Sequence, residues 1–297
     1  MSPDRKGGAT FAQEPASPPR ACLDKATMND HPPQEAFANA VHSLLRDTAL
    51  RWNRQGRHWP LVWGLMTANM LWHRLWRRVH LRRIIRRIKG LRGRQDPASL
   101  FDFASDPFGG ALDPSQVKSE ILALLGLLTE RPPRRVLEIG TGTGGTTLLV
   151  CHAAAPDALI ITLDLPGGPF GGGYPEWQVP LLRAMPLPTQ RLRLVRADSH
   201  SPAVLARVRR LLGGEPLDFL FIDGDHRYEG VKRDFTAYGS MVRPGGLIAL
   251  HDISPSPFGF RCSGDVPRFW QEIRTQERTR EFIAEPGQGY GIGVVFR

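Results

Sequence analysis

From residue 135 to the C-terminus, short apolar runs alternate with segments of helical periodicity. The runs predict strands near 135–139, 159–163, 192–196, 217–222, 246–250, 280–284 and 291–296. Helices are expected near 145–154, 176–185, 201–212, 229–241 and 266–277. Strands that alternate with helices pair in parallel, because each helix carries the chain back across a sheet face. The last two runs, in "REFIAEPGQGYGIGVVF", are joined by a glycine-rich turn without a helix. They therefore form a hairpin, and one terminal strand must run antiparallel. The fold class is α/β, with a mostly parallel seven-stranded sheet.

Upstream the texture differs. Residues 1–34 are rich in Pro, Ser, Ala and charge without periodicity, and read as a disordered tail. Met1–Ala12 has no apolar core of a signal peptide. Residues 35–97 read as a helical, basic, amphipathic extension, with Phe37, Val41, Leu44 and Leu45 marking a first helix over 35–56. The run "WPLVWGLMTANMLW" (59–72) is apolar but too short for a bilayer span, which takes about 20 residues.

Residues 73–94 hold nine Arg, one Lys and no acid. The whole chain carries 39 basic and 29 acidic residues, a net +10, so this segment accounts for the entire excess. Leu75, Trp76, Val79, Ile84, Ile85, Ile88 and Leu91 recur at helical spacing, with arginines on the other face. A cationic helix beside an apolar, Trp-rich one suggests that residues 59–94 meet an anionic membrane surface. Packing on the α/β domain or in a homo-oligomer stays open. Nucleic acid is disfavoured, because no aromatic-interleaved strand accompanies the arginines. Residues 93–113 read as a linker, after which Asp113-Pro114 starts a helix with Val117, Ile121, Leu124, Leu125 and Leu128 on its apolar face. The α/β domain is placed at 98–297. Cys22, Cys151 and Cys262 show no disulfide or zinc spacing, which suits reduced thiols and a cytoplasmic chain, peripheral on the inner face of a membrane.

The chemistry collects at strand ends. "RRVLEIGTGTGGTT" (134–147) is a strand, a glycine turn and a helix start. Gly140, Gly142 and Gly144 or Gly145 permit positive φ and close backbone approach, and the helix start offers free N–H groups. The pattern also fits a dinucleotide fingerprint, so an NAD-linked oxidoreductase is a competing reading. Asp164 ends the second strand and is placed to accept ribose hydroxyls. Asp198 ends the third, beside Ser199, where an adenine amine would lie. The fourth strand, "FLFI", stops at Asp223, Asp225 and His226, and the fifth at His251-Asp252. A histidine there can take a proton from a hydroxyl, with Asp223 or Asp225 orienting it. The glycine-rich stretch "PGGPFGGGYPEWQVP" (166–180) suggests a lid whose Phe170, Tyr174 and Trp177 contact an acceptor. "SPSPFGFRCSGDVPRFW" (254–270) would form another wall, with Arg261 and Arg268, and His200 could also face the site.

In order and spacing these motifs resemble a class I S-adenosylmethionine (SAM)-dependent methyltransferase, over about residues 114–297. The segments that carry it are "VLEIGTGTGG", Asp164, "RADS" and "FLFIDGDHRYEGVKRDF…VRPGGLIALHDI". "IDGDHRYEGV" and "HDI" are most like the bacterial branch of cephalosporin-hydroxylase-like and sugar or macrolide O-methyltransferases. The resemblance implies a Rossmann-like fold. It implies that Glu138, Gly140, Thr141, Gly142 and Gly144 hold the methionine part of SAM. Asp164 would take the ribose, Asp198 and Ser199 the adenine, and Asp223 the methionine amine or a metal. His226 would be the general base, with Asp223, Asp225 and His251 in catalytic support. Asp223 and Asp252 would hold Mg²⁺ or another divalent ion, although His251 stands where the family has an acid. The expected reaction is O-methylation of a small molecule, sugar or lipid-linked glycan. A non-catalytic, membrane-tethered SAM-binding module remains an alternative.

Overall fold

The computed structural model describes residues 59–91, 93–106, 112–167, 173–256, 263–287 and 289–297. The expected tail at 1–34, the helix over 35–56, and Phe170, Arg261, Cys22 and Cys262 lie outside the described residues.

Seven strands form one sheet: β1 (Arg135–Ile139), β2 (Leu159–Asp164), β3 (Arg191–Arg196), β4 (Leu217–Ile222), β5 (Val242–His251), β6 (Thr279–Phe282) and β7 (Ile292–Phe296). Their order is β3-β2-β1-β4-β5-β7-β6. All neighbours pair in parallel up to β5, and β7 runs antiparallel to both β5 and β6. The α/β sheet and its terminal hairpin are thus as expected. The registers matter for the site. Ile139 lies opposite Leu163 and Ile222, Ile222 opposite Leu250, and Asp164 opposite Arg196. The carboxyl ends of β1, β2, β4 and β5 are therefore level, and the residues that follow them share one edge.

β1, β2 and β4 are almost wholly buried, because helices cover both sheet faces. One core layer unites Val136, Phe219, Phe221 and Ala249 with Leu124, Leu128 and Leu148. The other unites Leu137, Ile161 and Leu220 with Val208, Tyr238 and Trp270.

The N-terminal part departs from the sequence reading in four places. The apolar run and the basic segment form a single helix, α1 (Trp59–Gly90), since no breaker separates them after Pro60. Its expected single apolar stripe splits. Ile84 and Ile88 enter the core, whereas Leu75 and Val79 are exposed. The supposed linker contains a second helix, α2 (Pro97–Ser105), started by Asp96, whose carboxylate accepts the Ser99 N–H at 2.9 Å, and by Pro97 in the first turn. It buries Leu100, Phe101 and Ala104. The next helix, α3 (Lys118–Glu130), begins later than Asp113-Pro114, because Asp113 and Ser115 both take positive φ, at 24° and 55°. No helix among the described residues is long and apolar enough to cross a membrane.

The remaining helices are α4 (Gly145–Ala153), α5 (Val179–Leu182), α6 (Pro202–Leu212), α7 (Tyr228–Gly239) and α8 (Val266–Ile273). A 3₁₀ turn, Glu176–Gln178, precedes α5, so the helix expected over 176–185 is shorter and tighter at its start.

Candidate active site

The glycine turn is built by exclusion of side chains. Gly140 has φ 94°, and a Cβ there would lie 1.9 Å from the carbonyl oxygen of Asp223. The turn after β1 thus rests on the backbone leaving β4. Gly144, at φ 91°, closes onto Leu182 and Met185. Gly142 is different: at φ 50°, a Cβ would meet nothing within 4 Å. Its open side is the part of the turn that a ligand can approach.

Asp164 holds this turn in place. Its Oδ2 accepts the N–H groups of Thr141 at 2.9 Å and Gly142 at 2.8 Å, and Oδ1 accepts that of Leu165 at 2.8 Å. Burial pushes its pKa upward against these three bonds. Oδ2 is filled by its two N–H groups, whereas Oδ1 keeps acceptor capacity for a hydroxyl donor. Thr141 is buried, and its hydroxyl bonds to that of Thr162. Gln178, which sequence reasoning missed, donates to the carbonyl of Gly142 at 2.7 Å.

Glu138 lies beneath the turn. One oxygen accepts the Thr147 hydroxyl, and the other is buried with no partner among the described residues. Burial pushes its pKa up to about 8. Asp198 stands exposed, its Oδ1 accepting the His200 N–H at 2.9 Å. The carbonyl of Ser199 accepts the Tyr238 hydroxyl at 2.7 Å. His200 turns toward α7, with Nε2 3.2 Å from the Gly230 carbonyl oxygen and 3.5 Å from Asp234.

The second half of the site is a knot of two carboxylates and two imidazoles. Asp223 Oδ1 is 3.1 Å from His251 Nδ1 and 3.6 Å from His226 Nε2. Asp252 Oδ2 is 3.5 Å from His226 Nδ1 and 3.6 Å from His251 Nδ1. His226 is thus bracketed by Asp223 and Asp252. Burial alone would raise Asp223, but the His251 and His226 imidazoles hold its carboxyl well below the usual range. Burial opposes charge on His251, yet the Asp223 and Asp252 carboxylates prevail and raise its pKa to about 9. His251 is then an imidazolium at neutral pH, and His226 is the more exposed imidazole of the knot. Burial raises Asp252, which sits at φ 63°.

Two expected contacts differ. Asp225 does not orient His226. It is held by Arg227, with Nε 2.9 Å from Oδ1 and Nη2 2.5 Å from Oδ2, and it packs against Gly230. Tyr174 does not line an acceptor wall. It is fully buried, with the Arg196 guanidinium 5.5 Å from its ring centre. Trp177 is half-buried and borders a cleft of about 310 Å³ with Pro175, Leu75 and Arg78. Arg268 stacks over Tyr228 at 4.5 Å.

Gln116 is a further residue the sequence did not announce. It comes from the bend before α3, donates from Nε2 to Asp223 Oδ2 at 3.1 Å, and keeps a buried Oε1 with no partner among the described residues. The bend itself is pinned over the glycine turn. Thr143 donates its hydroxyl to the Asp113 carbonyl at 2.7 Å, and a Cβ on Gly145 would strike Pro114 at 2.6 Å.

The residues present fit SAM in three features: an unfilled side of Gly142, a carboxylate on Asp164 beside the turn, and buried oxygens on Glu138 and Gln116 without a partner among the described residues, which suit a cation. For a metal, ligand atoms of Asp223, His226 and Asp252 lie within 4.8 Å of one another. Two carboxylates and an imidazole suit a borderline divalent ion better than Mg²⁺, which prefers oxygen throughout.

Part of the chain is similar to known proteins. Residues 137–253 match a family described as "Methyltransferase domain". A putative O-methyltransferase from Mycobacterium sp. (strain JLS) is 29% identical over 192 residues, 63% of this chain and 76% of that protein. The mycinamicin VI 2''-O-methyltransferase of Micromonospora griseorubida is 26% identical over 171 residues, 53% of this chain but only 38% of that protein. The O-methyltransferase TomG from Streptomyces achromogenes, solved with SAM, superposes with a TM-score of 0.45 at 21% identity, over 70% of this chain and 92% of that one. Over residues 137–253, the chain is therefore similar to a methyltransferase domain.

Proposed function

We propose that the chain transfers the methyl group of SAM to a hydroxyl oxygen of a small molecule, with a sugar hydroxyl or a lipid-linked glycan as the finer candidates. One observation carries the reading: the glycine turn and the acid–histidine knot touch, through Gly140 against the Asp223 carbonyl. A donor held on the turn and an acceptor beside His226 would be neighbours. Much of the rate of such an in-line transfer comes from fixing that proximity.

The chain's own residues divide the work. Asp164 shapes the turn through the Thr141 and Gly142 N–H groups and presents its Oδ1 to a ribose. The buried edge formed by Glu138, Gln116 and Asp223 receives the cationic methionine end. His226, one-third exposed and bracketed by Asp223 and Asp252, takes the acceptor's proton at whichever ring nitrogen faces it. Protonated, it lies between two carboxylates that stabilise its new charge. The His251 imidazolium neutralises part of that acid pair beforehand. If a divalent ion occupies Asp223, His226 and Asp252, it would supply Lewis-acid polarisation of the acceptor oxygen. His226 would then be a ligand, and the base would have to lie elsewhere.

The test has two arms. Calorimetry should show SAM binding, with no comparable binding of NADH. Labelled SAM incubated with hydroxylated acceptors, with and without added divalent ions, should give label in an ether product. Absence of SAM binding would refute the reading, and label found on nitrogen or carbon would redirect it.

A further inference from the structure

Helix α1 has two apolar faces, and only one is used by the fold. Its C-terminal half sinks Ile84 and Ile88 into the core. Nearer its N-terminus, Leu71, Trp72, Leu75 and Val79 are 59%, 55%, 57% and 70% exposed. At 3.6 residues per turn these four fall within about 100° of arc, on the side opposite Ile84 and Ile88. The same exposed side continues toward the C-terminus as Arg82, Arg86 and Lys89. One surface of the helix therefore runs from a Trp-containing apolar stripe into a row of cations. Over residues 59–94 the chain has no Asp or Glu at all.

We infer that this surface docks onto an anionic lipid bilayer, with the Leu71–Val79 stripe at the acyl boundary and Arg82, Arg86 and Lys89 among the headgroup phosphates. Charge selects this occupant. A second copy of the helix would bring further cations and no acids, leaving both rows uncompensated. A nucleic acid would satisfy the cations but leave the apolar stripe in water. An anionic bilayer answers both, since its surface attracts basic residues and its interior accepts Leu, Val and the Trp ring. Docking would be by one helix lying in the interface, which suits a helix that is too polar to span. Leu75 and Arg78 also border the cleft shared with Pro175 and Trp177, so the docked helix would carry the segment after Asp164 to the lipid surface. The inference does not depend on which acceptor is methylated.

The experiment is co-sedimentation of the full chain with vesicles of phosphatidylcholine alone or mixed with phosphatidylglycerol. Two double variants accompany it: Trp72→Glu with Val79→Glu, and Arg82→Glu with Arg86→Glu. Neither pair touches the site, so thermal melting and SAM affinity should match wild type and certify the fold. Wild type should bind only the anionic vesicles, more weakly at higher salt, and each double variant should bind them about tenfold more weakly or worse. Equal binding by wild type and both variants would overturn the inference, as would failure of the full chain to bind either vesicle. Conversion of a dimer to a monomer by Trp72→Glu/Val79→Glu, without vesicle binding by wild type, would assign the stripe to a second copy instead. Binding to RNA that ignores the apolar variant, again without vesicle binding, would assign the cations to nucleic acid.

Discussion

Gln116 reaches across 107 positions of sequence to donate its amide N–H to Oδ2 of Asp223 at 3.1 Å. That bond ties the bend before α3 to the acid at the end of β4. Both side chains are largely buried, so removing the donor strands a carboxylate oxygen. Gln116→Leu should lower stability by about 1–3 kcal/mol. Gln116→Glu should cost more, because it sets a second carboxylate against Asp223. Urea titrations of the two variants, with SAM affinity by calorimetry, check both the size and the order.

Asp164 is expected to be more than a ribose ligand. Asp164→Ala removes the acceptor of three backbone N–H groups, those of Thr141, Gly142 and Leu165. The turn should loosen before any ligand is added, and SAM affinity should fall about a hundredfold, on the order of 3 kcal/mol. Asp164→Asn keeps one oxygen but turns an amide donor toward one of those N–H groups, and should fall in between. Amide hydrogen exchange at Thr141 and Gly142 in the free chain separates this from simple loss of a ligand contact.

Two glycines in the same turn should behave oppositely. Gly140→Ala puts a methyl 1.9 Å from the Asp223 carbonyl oxygen at φ 94°, so it should destabilise the fold by about 3 kcal/mol or prevent it. Gly142→Ala meets open space at φ 50°, a left-handed value that costs about 1 kcal/mol. Its folding should survive while its SAM affinity drops, because the methyl occupies the face offered to the ligand. Equal loss of stability in both variants would contradict this division.

How much of this was legible beforehand follows from what makes a pattern. Buried parallel strands are continuous apolar runs, so β1, β2 and β4 declare themselves, and their acids at the ends follow from topology. Gln116 does not, since it sits in an aperiodic bend where Asp113 and Ser115 take positive φ. Helix α2 carried its signal, Asp96-Pro97 with Ser99, but neighbouring Gly and Asp residues disguised it as a linker. In α1 the apolar residues occupy two opposite faces, with Leu75 and Ile84 about half a turn apart, and the sequence does not say which face meets the core: Leu75 is exposed and Ile84 is buried. Tyr174 lies among glycines that suggest mobility, and only its packing beneath Arg196 shows otherwise.

Glu138 should give stability a measurable pH slope. Its carboxyl ionises near 4.5 in the unfolded chain and, because of burial, at about 8 in the folded one. Below pH 4.5 both states are protonated, and the neutral carboxyl is tolerated in the core. As pH rises from 4.5 to 8, the unfolded state loses its proton while the folded state keeps it, so stability declines through that window and levels off above it. The loss amounts to a few kcal/mol in order of magnitude. Glu138→Gln, neutral at every pH, should lack this decline and melt higher than wild type at pH 8. Thermal melts of both proteins from pH 5 to 9 provide the comparison, and parallel curves would place the proton elsewhere.

His226 should separate chemistry from binding. It is the imidazole in the knot that retains access to solvent, whereas His251 is buried with its Nε2 unpartnered among the described residues. Its two carboxylate neighbours, Asp223 at 3.6 Å and Asp252 at 3.5 Å, favour the protonated product of base catalysis. Loss of a general base typically costs 10²–10⁴-fold in rate, so His226→Ala should lose about that much turnover while SAM affinity stays within about threefold. Asp252→Asn removes one of the two stabilising charges and should reduce turnover less. A metal at this site predicts a different pattern: chelation would silence wild type, and added divalent ion would restore it. Turnover indifferent to chelation and abolished by His226→Ala assigns the histidine as base. Turnover retained in His226→Ala would dismiss it.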